Sequence, residues 1–310
     1  GNDNVAVGYE ALISNTTGAA NVAVGSYALD ANTTASYNNA VGYLSLSTNT
    51  TGERNNAFGH SSLALNTTGS YNTALGHSAL YKNTTAARNT AIGNDALTEN
   101  TTGASNVAVG DRALDANTTG NQNTAVGSQS LSANTTGGYN VAIGDASMIV
   151  ATTGSYNVAV GYRTLNTQTT AEYNVAIGGN ALRLNETGTR NVAIGYNCMD
   201  ANLASDNTAV GFEALRYTTT GTQNCAVGQD CMQDNTTGSY NTAMGYEALT
   251  NSTTSSNNSA FGNQALEANT TGASNTAVGK DSLMFITTGQ ECTAVGHNAL
   301  RNNTASEITA

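Results

Sequence analysis

Asn21-Val22-Ala23-Val24-Gly25 is the stretch of sequence that decides the fold, because close copies of it recur along the whole chain. With the asparagine as position 1, the copies are seventeen residues apart, except for one sixteen-residue step between Asn191 and Asn207. The units begin at residues 4, 21, 38, 55, 72, 89, 106, 123, 140, 157, 174, 191, 207, 224, 241, 258, 275 and 292, which makes eighteen units in 310 residues. A fixed period of this kind predicts a solenoid of stacked units rather than one or two globular cores.

The composition limits the classes of partner. The chain has a formal net charge of −11, and its ten Lys and Arg residues are scattered, so we do not expect nucleic acid to bind. No apolar run approaches the roughly 20 residues that cross a bilayer, so we expect no membrane span. Because both ends fall within the repeat pattern and neither has a modified capping unit, we expect a segment of a longer protein.

Comparison of the units predicts the local structure. Position 3 is always Ala, position 5 is always Gly, position 4 is large and apolar, and position 9 is Leu or Met. Positions 1 to 5 predict a short strand whose position 4 side chain, Val24 or Val126, points into a core. Positions 8 to 12 predict a second strand, whose Leu29 or Leu131 reaches the same core. The Asn-Thr-Thr-Gly segment at positions 12 to 15 predicts a turn in which Asn and Gly adopt left-handed backbone geometry.

Two short strands and two turns per unit predict an all-β, parallel β-solenoid, or β-roll, of about eighteen coils forming a single rod over residues 1–310. At ~4.8 Å per coil, the rod would be roughly 86 Å long. Like residues stack on like, so the asparagines of position 1 should form an axial ladder of amides. Gly25 and Gly127 should either adopt φ > 0 or admit another backbone closely.

The invariant alanine of position 3 predicts self-association. Ala23 and Ala125 should face away from the core, yet a solvent-exposed position would accept many residue types. Some other surface therefore has to press on that face. Two large apolar residues per coil also make a thin core. We expect the chain to form an obligate oligomer with alanine at the interface, and a trimer is the favoured stoichiometry.

A family resemblance supports this interpretation. Asn-Val-Ala-Ile-Gly, at 140–144, 174–178 and 191–195, resembles the Asn-Ser-Val-Ala-Ile-Gly head repeat of YadA-like trimeric autotransporter adhesins. Similar Asn-Thr-Ala-Val-Gly arrays occur in bacteriophage tail fibres and other surface fibre proteins. The resemblance implies a left-handed, trimeric β-roll on a cell surface or virion, with a role in attachment. The unit here is longer than the adhesin repeat, and its Asn-Thr-Thr-Gly turn is not a regular feature of that repeat.

Residues that carry chemistry are few. His60, His77 and His297 share position 6, and His60 and His77 should lie about 5 Å apart on successive coils. Without a third repeated ligand they are interpreted as solvated turn histidines, so no metal site is predicted. There is no Ser/His/Asp set and no repeated carboxylate pair, so we expect neither catalysis nor a cofactor. The four cysteines are expected to act as small hydrophobes.

Three tyrosines are the candidate ligand contacts. Tyr139, Tyr156 and Tyr173 occupy position 17 of consecutive units, and stacked rings on a polar rod could bind a host-surface glycan or protein. The alternative is that they shield turn backbone and pack on one another. The repeated Asn-Thr-Thr triplets are formal N-glycosylation acceptors.

The sequence predicts a structural and adhesive protein: the shaft or head of an extracellular trimeric fibre that spaces or presents a binding tip. A self-assembling extracellular filament is the alternative, since open strand edges can template pairing. An ice-binding solenoid is a third hypothesis, although neighbouring threonines of one strand would face opposite ways.

Overall fold

The computed structural model describes residues 1–310 and shows an all-β chain of short parallel strands without a helix. The chain divides into two compact units, Gly1–Tyr156 and Asn157–Ala310, and each contains nine repeats. In the first unit the strands are β1 Val5–Val7, β2 Val22–Val24, β3 Asn39–Val41, β4 Asn56–Phe58, β5 Thr73–Leu75, β6 Thr90–Ile92, β7 Val107–Val109, β8 Thr124–Val126 and β9 Val141–Ile143. In the second they are β10 Val158–Val160, β11 Val175–Ile177, β12 Val192–Ile194, β13 Thr208–Val210, β14 Cys225–Val227, β15 Thr242–Met244, β16 Ser259–Phe261, β17 Thr276–Val278 and β18 Thr293–Val295. Each of the two compact units, with its nine repeats, is a parallel β-solenoid, which confirms the predicted fold class.

Like positions lie opposite each other in successive coils. Ala23 of β2 pairs with Ala40 of β3, and every other pairing within a unit has the same register. The sixteen-residue repeat retains it, since Val192 lies opposite Thr208. The residue is missing from the turn after position 12, so both neighbouring strands stay aligned, as predicted.

The alanine of position 3 lies inside the coil, and the large residue of position 4 lies outside. Ala23 and Ala125 are fully buried, whereas Val24 and Val126 are partly exposed. The prediction that position 4 fills the core was therefore wrong, and so was the placement of alanine at an interface between chains. The interior beside the strand is shared with a leucine and two asparagine side chains from each coil, which leaves room for only a methyl group.

Positions 6 to 12 form tight turns, and the second strand predicted there does not exist. Ala28 donates its backbone N–H to Gly25, and Asn32 donates to Leu29, each across a four-residue turn. Tyr27 and Leu29 have left-handed φ values of 60° and 51°. This backbone directs the Leu29 side chain inward, where it is fully buried, as is Leu131. The leucine core was predicted correctly although the backbone that delivers it was not.

Glycine is required at position 5 for both of the reasons anticipated. Gly25 and Gly127 have φ of 133° and 132°, which side chains rarely permit. A Cβ on Gly127 would also lie 2.5 Å from the carbonyl oxygen of Gly144 in the next coil. The Asn and Gly of the Asn-Thr-Thr-Gly turn are not left-handed. The left-handed residue at that corner is position 17, such as Tyr139 with φ of 61°.

Candidate interaction surfaces

The interior of each coil is organised by asparagines at positions 1 and 12. In the seventh repeat, the amides of Asn106 and Asn117 both donate to the carbonyl oxygen of Gly120, at 2.9 and 3.1 Å. Asn106 also accepts from the backbone N–H of Asn123 in the next coil, at 2.9 Å. Asn117 accepts from the Asn134 amide at 2.8 Å. The two columns of side chains, which we call the asparagine ladders, satisfy buried polar groups and join neighbouring coils.

The ladder at position 1 was predicted, but the ladder at position 12 was missed because those asparagines were assigned to the turn. Position 12 ladders break wherever the next coil lacks asparagine. Asn134 is followed by Ala151, and Asn269 is followed by Ile286, and in both cases the Oδ1 atom of the asparagine has no partner. The signal for the second ladder was its recurrence at a fixed position.

The Asn-Thr-Thr triplet has three distinct environments. Asn100 and Asn117 are fully buried and their amides are bonded, so neither presents a nitrogen to a glycosylating enzyme in the folded chain. The first threonine bonds along the stack: the Thr101 hydroxyl donates to the Thr118 carbonyl oxygen at 3.0 Å. The second, such as Thr102, is exposed. Of the two threonine rows, the second is therefore the more exposed to solvent.

The strands of each compact unit present an outer sheet face, which we define as the side chains of positions 2 and 4. Position 4 is large and apolar in every repeat, and it remains accessible: Leu75 is 49% exposed and Met244 is 50% exposed. Position 2 is mostly Val or Thr, with Asn39 and Asn56 joined by a 2.7 Å side-chain hydrogen bond. In each of the two compact units the position 4 side chains form a continuous apolar strip on the strands.

A row of residues at position 17 adjoins the start of the strands. Tyr139 and Tyr156 stack with ring centroids 4.9 Å apart and planes 8° apart, and about half of each side chain is exposed. Tyr173, in the second unit, is 53% exposed. The predicted stacking of Tyr139 on Tyr156 is present, and both rings keep an accessible edge.

A second aromatic row lies at positions 6 and 7, beyond the other end of the strands. Tyr9, Tyr27, Tyr43, His60 and His77 form consecutive ring contacts with centroids 5.1–6.1 Å apart. His60 and His77 stack at 5.1 Å, close to the spacing predicted from the repeat. His297, by contrast, stands in the final repeat, far along the chain from this row. No group of three or more histidine, cysteine or acidic side chains is arranged to hold a metal ion.

The cysteines differ sharply in accessibility. Cys198 and Cys231 are buried at position 8, where desolvation raises the pKa of each thiol to about 12. Cys292 is also buried, and its backbone N–H continues the position 1 ladder by donating to Asn275 Oδ1 at 3.0 Å. Cys225 lies at position 2 and is half-buried on the outer sheet face. It is therefore the one thiol of the four that a reagent can reach in the folded chain.

Carboxylates at the corner after the leucine are partly buried. Desolvation is the main cause that raises the pKa of Asp30, Asp115 and Glu267 above their ordinary values. They stand on separate, non-adjacent coils and do not form a repeated acid pair. The surface has no cleft of ligand size. The exposed features of the coil are its outer sheet face and its rows of side chains at positions 6, 7 and 17.

Comparison with known proteins identifies no relative, so a functional conclusion has to rest on the surfaces described above. The chain matches no family model, and no curated protein is significantly similar to it. It has no helix of the length and apolar character that spans a membrane.

Proposed function

We propose that this chain is a structural and adhesive segment of an extracellular fibre, on a cell surface or virion, that spaces or presents a binding tip. Its copies associate as a trimer through the outer sheet face. The observation that carries the proposal is the large apolar residue at position 4, which recurs in all eighteen repeats although it faces away from the coil interior. Contiguous exposed apolar surface of this kind marks interaction sites in soluble proteins.

The outer sheet face replaces alanine as the proposed contact between copies. A strip of Val, Ile, Leu, Met and Phe gains free energy when it leaves water, at about 25 cal/mol per Å² of apolar surface. A second and a third copy are suitable occupants because the strip repeats with the coil, so like strands of several copies can lie side by side over many repeats. The number three follows from the resemblance to trimeric adhesin repeats.

The repetitive backbone also suits a spacer. Within each compact unit, neighbouring coils are bonded by their parallel strands, by the asparagine ladders and by threonine hydroxyls such as that of Thr101. Many identical weak sites on such a scaffold would act together, because multivalent contact raises avidity without any new type of contact.

The test is the mass of the full chain in solution. Light scattering should give three times 31.5 kDa for the wild type. Lysine at four position 4 sites, V109K/V126K/V210K/V227K, should dissociate the assembly, because each of the four substituted strands would bury a charge at the interface. The strand signal in circular dichroism should be retained. The matched control T102K/T119K/T220K/T237K places the same charges on exposed position 14 and should stay trimeric.

A folded wild-type monomer of 31.5 kDa would overturn the proposal. Electron microscopy of the same samples separates discrete rods from filaments of indefinite length. Filaments would favour the alternative, a self-assembling filament subunit.

A further inference from the structure

Four consecutive coils of the first unit place tyrosine and arginine alternately at position 17. Tyr37, Arg54, Tyr71 and Arg88 are all exposed, and we call them the arginine–tyrosine row. The guanidinium carbon of Arg54 lies 5.6 Å from the centroid of the Tyr37 ring and 5.4 Å from that of Tyr71. One of its terminal nitrogens donates a 3.0 Å hydrogen bond to the Tyr71 hydroxyl. The Arg54 side chain thus contacts a ring on either side, and the residue is exposed to solvent.

The arginines of this row are not neutralised within the chain. Neither Arg54 nor Arg88 forms an ion pair, whereas Lys82 pairs with Glu99 at 2.6 Å on the same unit. Glu53 precedes Arg54 in the sequence but lies beyond ion-pair distance. In a protein with a net charge of −11, two unpaired cations in one row stand out as a local site for an anionic group.

We propose that the arginine–tyrosine row binds a linear acidic glycan in which carboxylated sugars are interspersed among neutral ones. The assignment rests on the proposed attachment function and gives it a class of ligand. An arginine fork matches a carboxylate with two parallel hydrogen bonds. The tyrosines offer rigid, amphipathic faces against which sugar rings can pack.

The spacing of the row favours such a glycan. Arg54 and Arg88 are two coils apart, about 9.6 Å at strand spacing, which is close to the length of two sugar residues. One carboxylate for every two sugars would therefore meet each arginine in turn. The whole row extends over about 14 Å along the stack. Single-stranded nucleic acid fits less well, because it needs a basic groove that follows a continuously charged backbone, and this row has two cations and no groove.

The experiment measures binding of the full chain to hyaluronan, which carries one carboxylate per disaccharide, by biolayer interferometry at low and at physiological salt. The matched polymers are its methyl ester and single-stranded DNA. The variant R54Q/R88Q should fold normally, because Gln122 and Gln223 occupy the same position with φ of 57°. The control R112Q removes an exposed arginine at position 7, where Gln129 occurs naturally with φ of 53°.

The expected result is binding of hyaluronan that weakens at least about a hundredfold in R54Q/R88Q, since each of the two charge-assisted hydrogen bonds contributes about 1.5–3 kcal/mol. R112Q should bind like the wild type, and the methyl ester should bind weakly. The assignment is overturned if the wild type does not bind hyaluronan, if the ester binds equally well, or if R112Q has the same effect as R54Q/R88Q. Tighter binding of DNA would make the row a nucleic-acid site. If the glycan assignment fails but light scattering gives a trimeric mass, the proposed fibre function still holds. Failure of the glycan assignment can therefore be distinguished from failure of the proposed fibre function.

Discussion

Alanine at position 3 illustrates how a single residue defines the width of the coil. Ala125 is fully buried between its strand and the opposite wall, and its neighbour Val126 faces outward. Its invariance reflects a steric limit inside the coil rather than contact with another chain. The residue that varies among Val, Ile, Leu, Met and Phe is the one outside, where size is not limited by the coil.

Ala125→Leu should therefore destabilise the coil itself, by about 1–3 kcal/mol or more, because an overpacked interior has to shift its backbone. Urea unfolding followed by circular dichroism measures the loss. Gln129→Leu is the matched control, since Leu44 already occupies position 7 with φ of 55°. Equal unfolding midpoints for the two variants would contradict a crowded interior.

The residues also show how far sequence reasoning reaches. The period, the register of the strands and the buried Leu29 follow from counting alone. The side to which Val24 points does not follow from the sequence, because a three-residue strand has the same alternation of residues whichever side is inside. Large apolar residues are ordinarily assigned to the core, and that assumption fails in a coil whose interior is filled by Leu, Ala and two asparagines. Arg54 was missed because its partners, Tyr37 and Tyr71, lie one coil away on either side.

At the scale of the element, the asparagine ladders hold the coils together, as a larger apolar core does in globular proteins. Asn106 bonds in three directions. Its side-chain amide donates to the carbonyl oxygen of Gly120 across the coil, its backbone N–H donates to Oδ1 of Asn89 in the preceding coil, and its own Oδ1 accepts from the backbone N–H of Asn123 in the next coil. Buried polar groups stabilise a fold when every partner is satisfied, and they cost free energy when one is missing. The ladder is thus cooperative along the stack.

Asn106→Ala should lower the free energy of unfolding by about 1–3 kcal/mol through the orphaned Asn123 N–H alone, with a further loss at the Gly120 carbonyl. Chemical denaturation measures the change. Asn94→Ala, at an exposed position 6, should change stability by no more than about 0.5 kcal/mol. If both substitutions cost the same, the ladder is not a stabilising element.

At the scale of the whole molecule, the cysteines report on which surfaces are covered. Cys198 and Cys231 lie inside the coils, and Cys225 lies on the face through which copies are proposed to associate. Their thiols therefore separate three conditions of the protein: assembled, dissociated but folded, and unfolded.

At pH 8, a thiol reagent should label no cysteine in the assembled wild type and only Cys225 in V109K/V126K/V210K/V227K, as measured by peptide mass spectrometry. Cys198 and Cys231 should stay unlabelled until the chain unfolds, because their thiols are buried and hold a pKa of about 12. The raised pKa of these two thiols also affects the stability of the fold. Between the ordinary value of 9.0 and about 12 only the unfolded chain ionises at these sites, so the free energy of unfolding should fall as pH rises. Rapid labelling of Cys225 in a wild-type trimer would place the interface elsewhere.

The interruptions in the position 12 ladder have a consequence for how the chain finds its fold. If all repeats were alike, a strand could slip by a whole coil and recover every hydrogen bond, so misaligned structures would compete with the native one. Ile286 is buried against Gly289, and the Oδ1 atom of Asn269 has no donor because isoleucine stands at position 12 of the next coil, so this coil differs from its neighbours. A slipped chain would move these defects away from the residues that accommodate them. The irregular repeats therefore distinguish one coil from the next during folding and favour the native register.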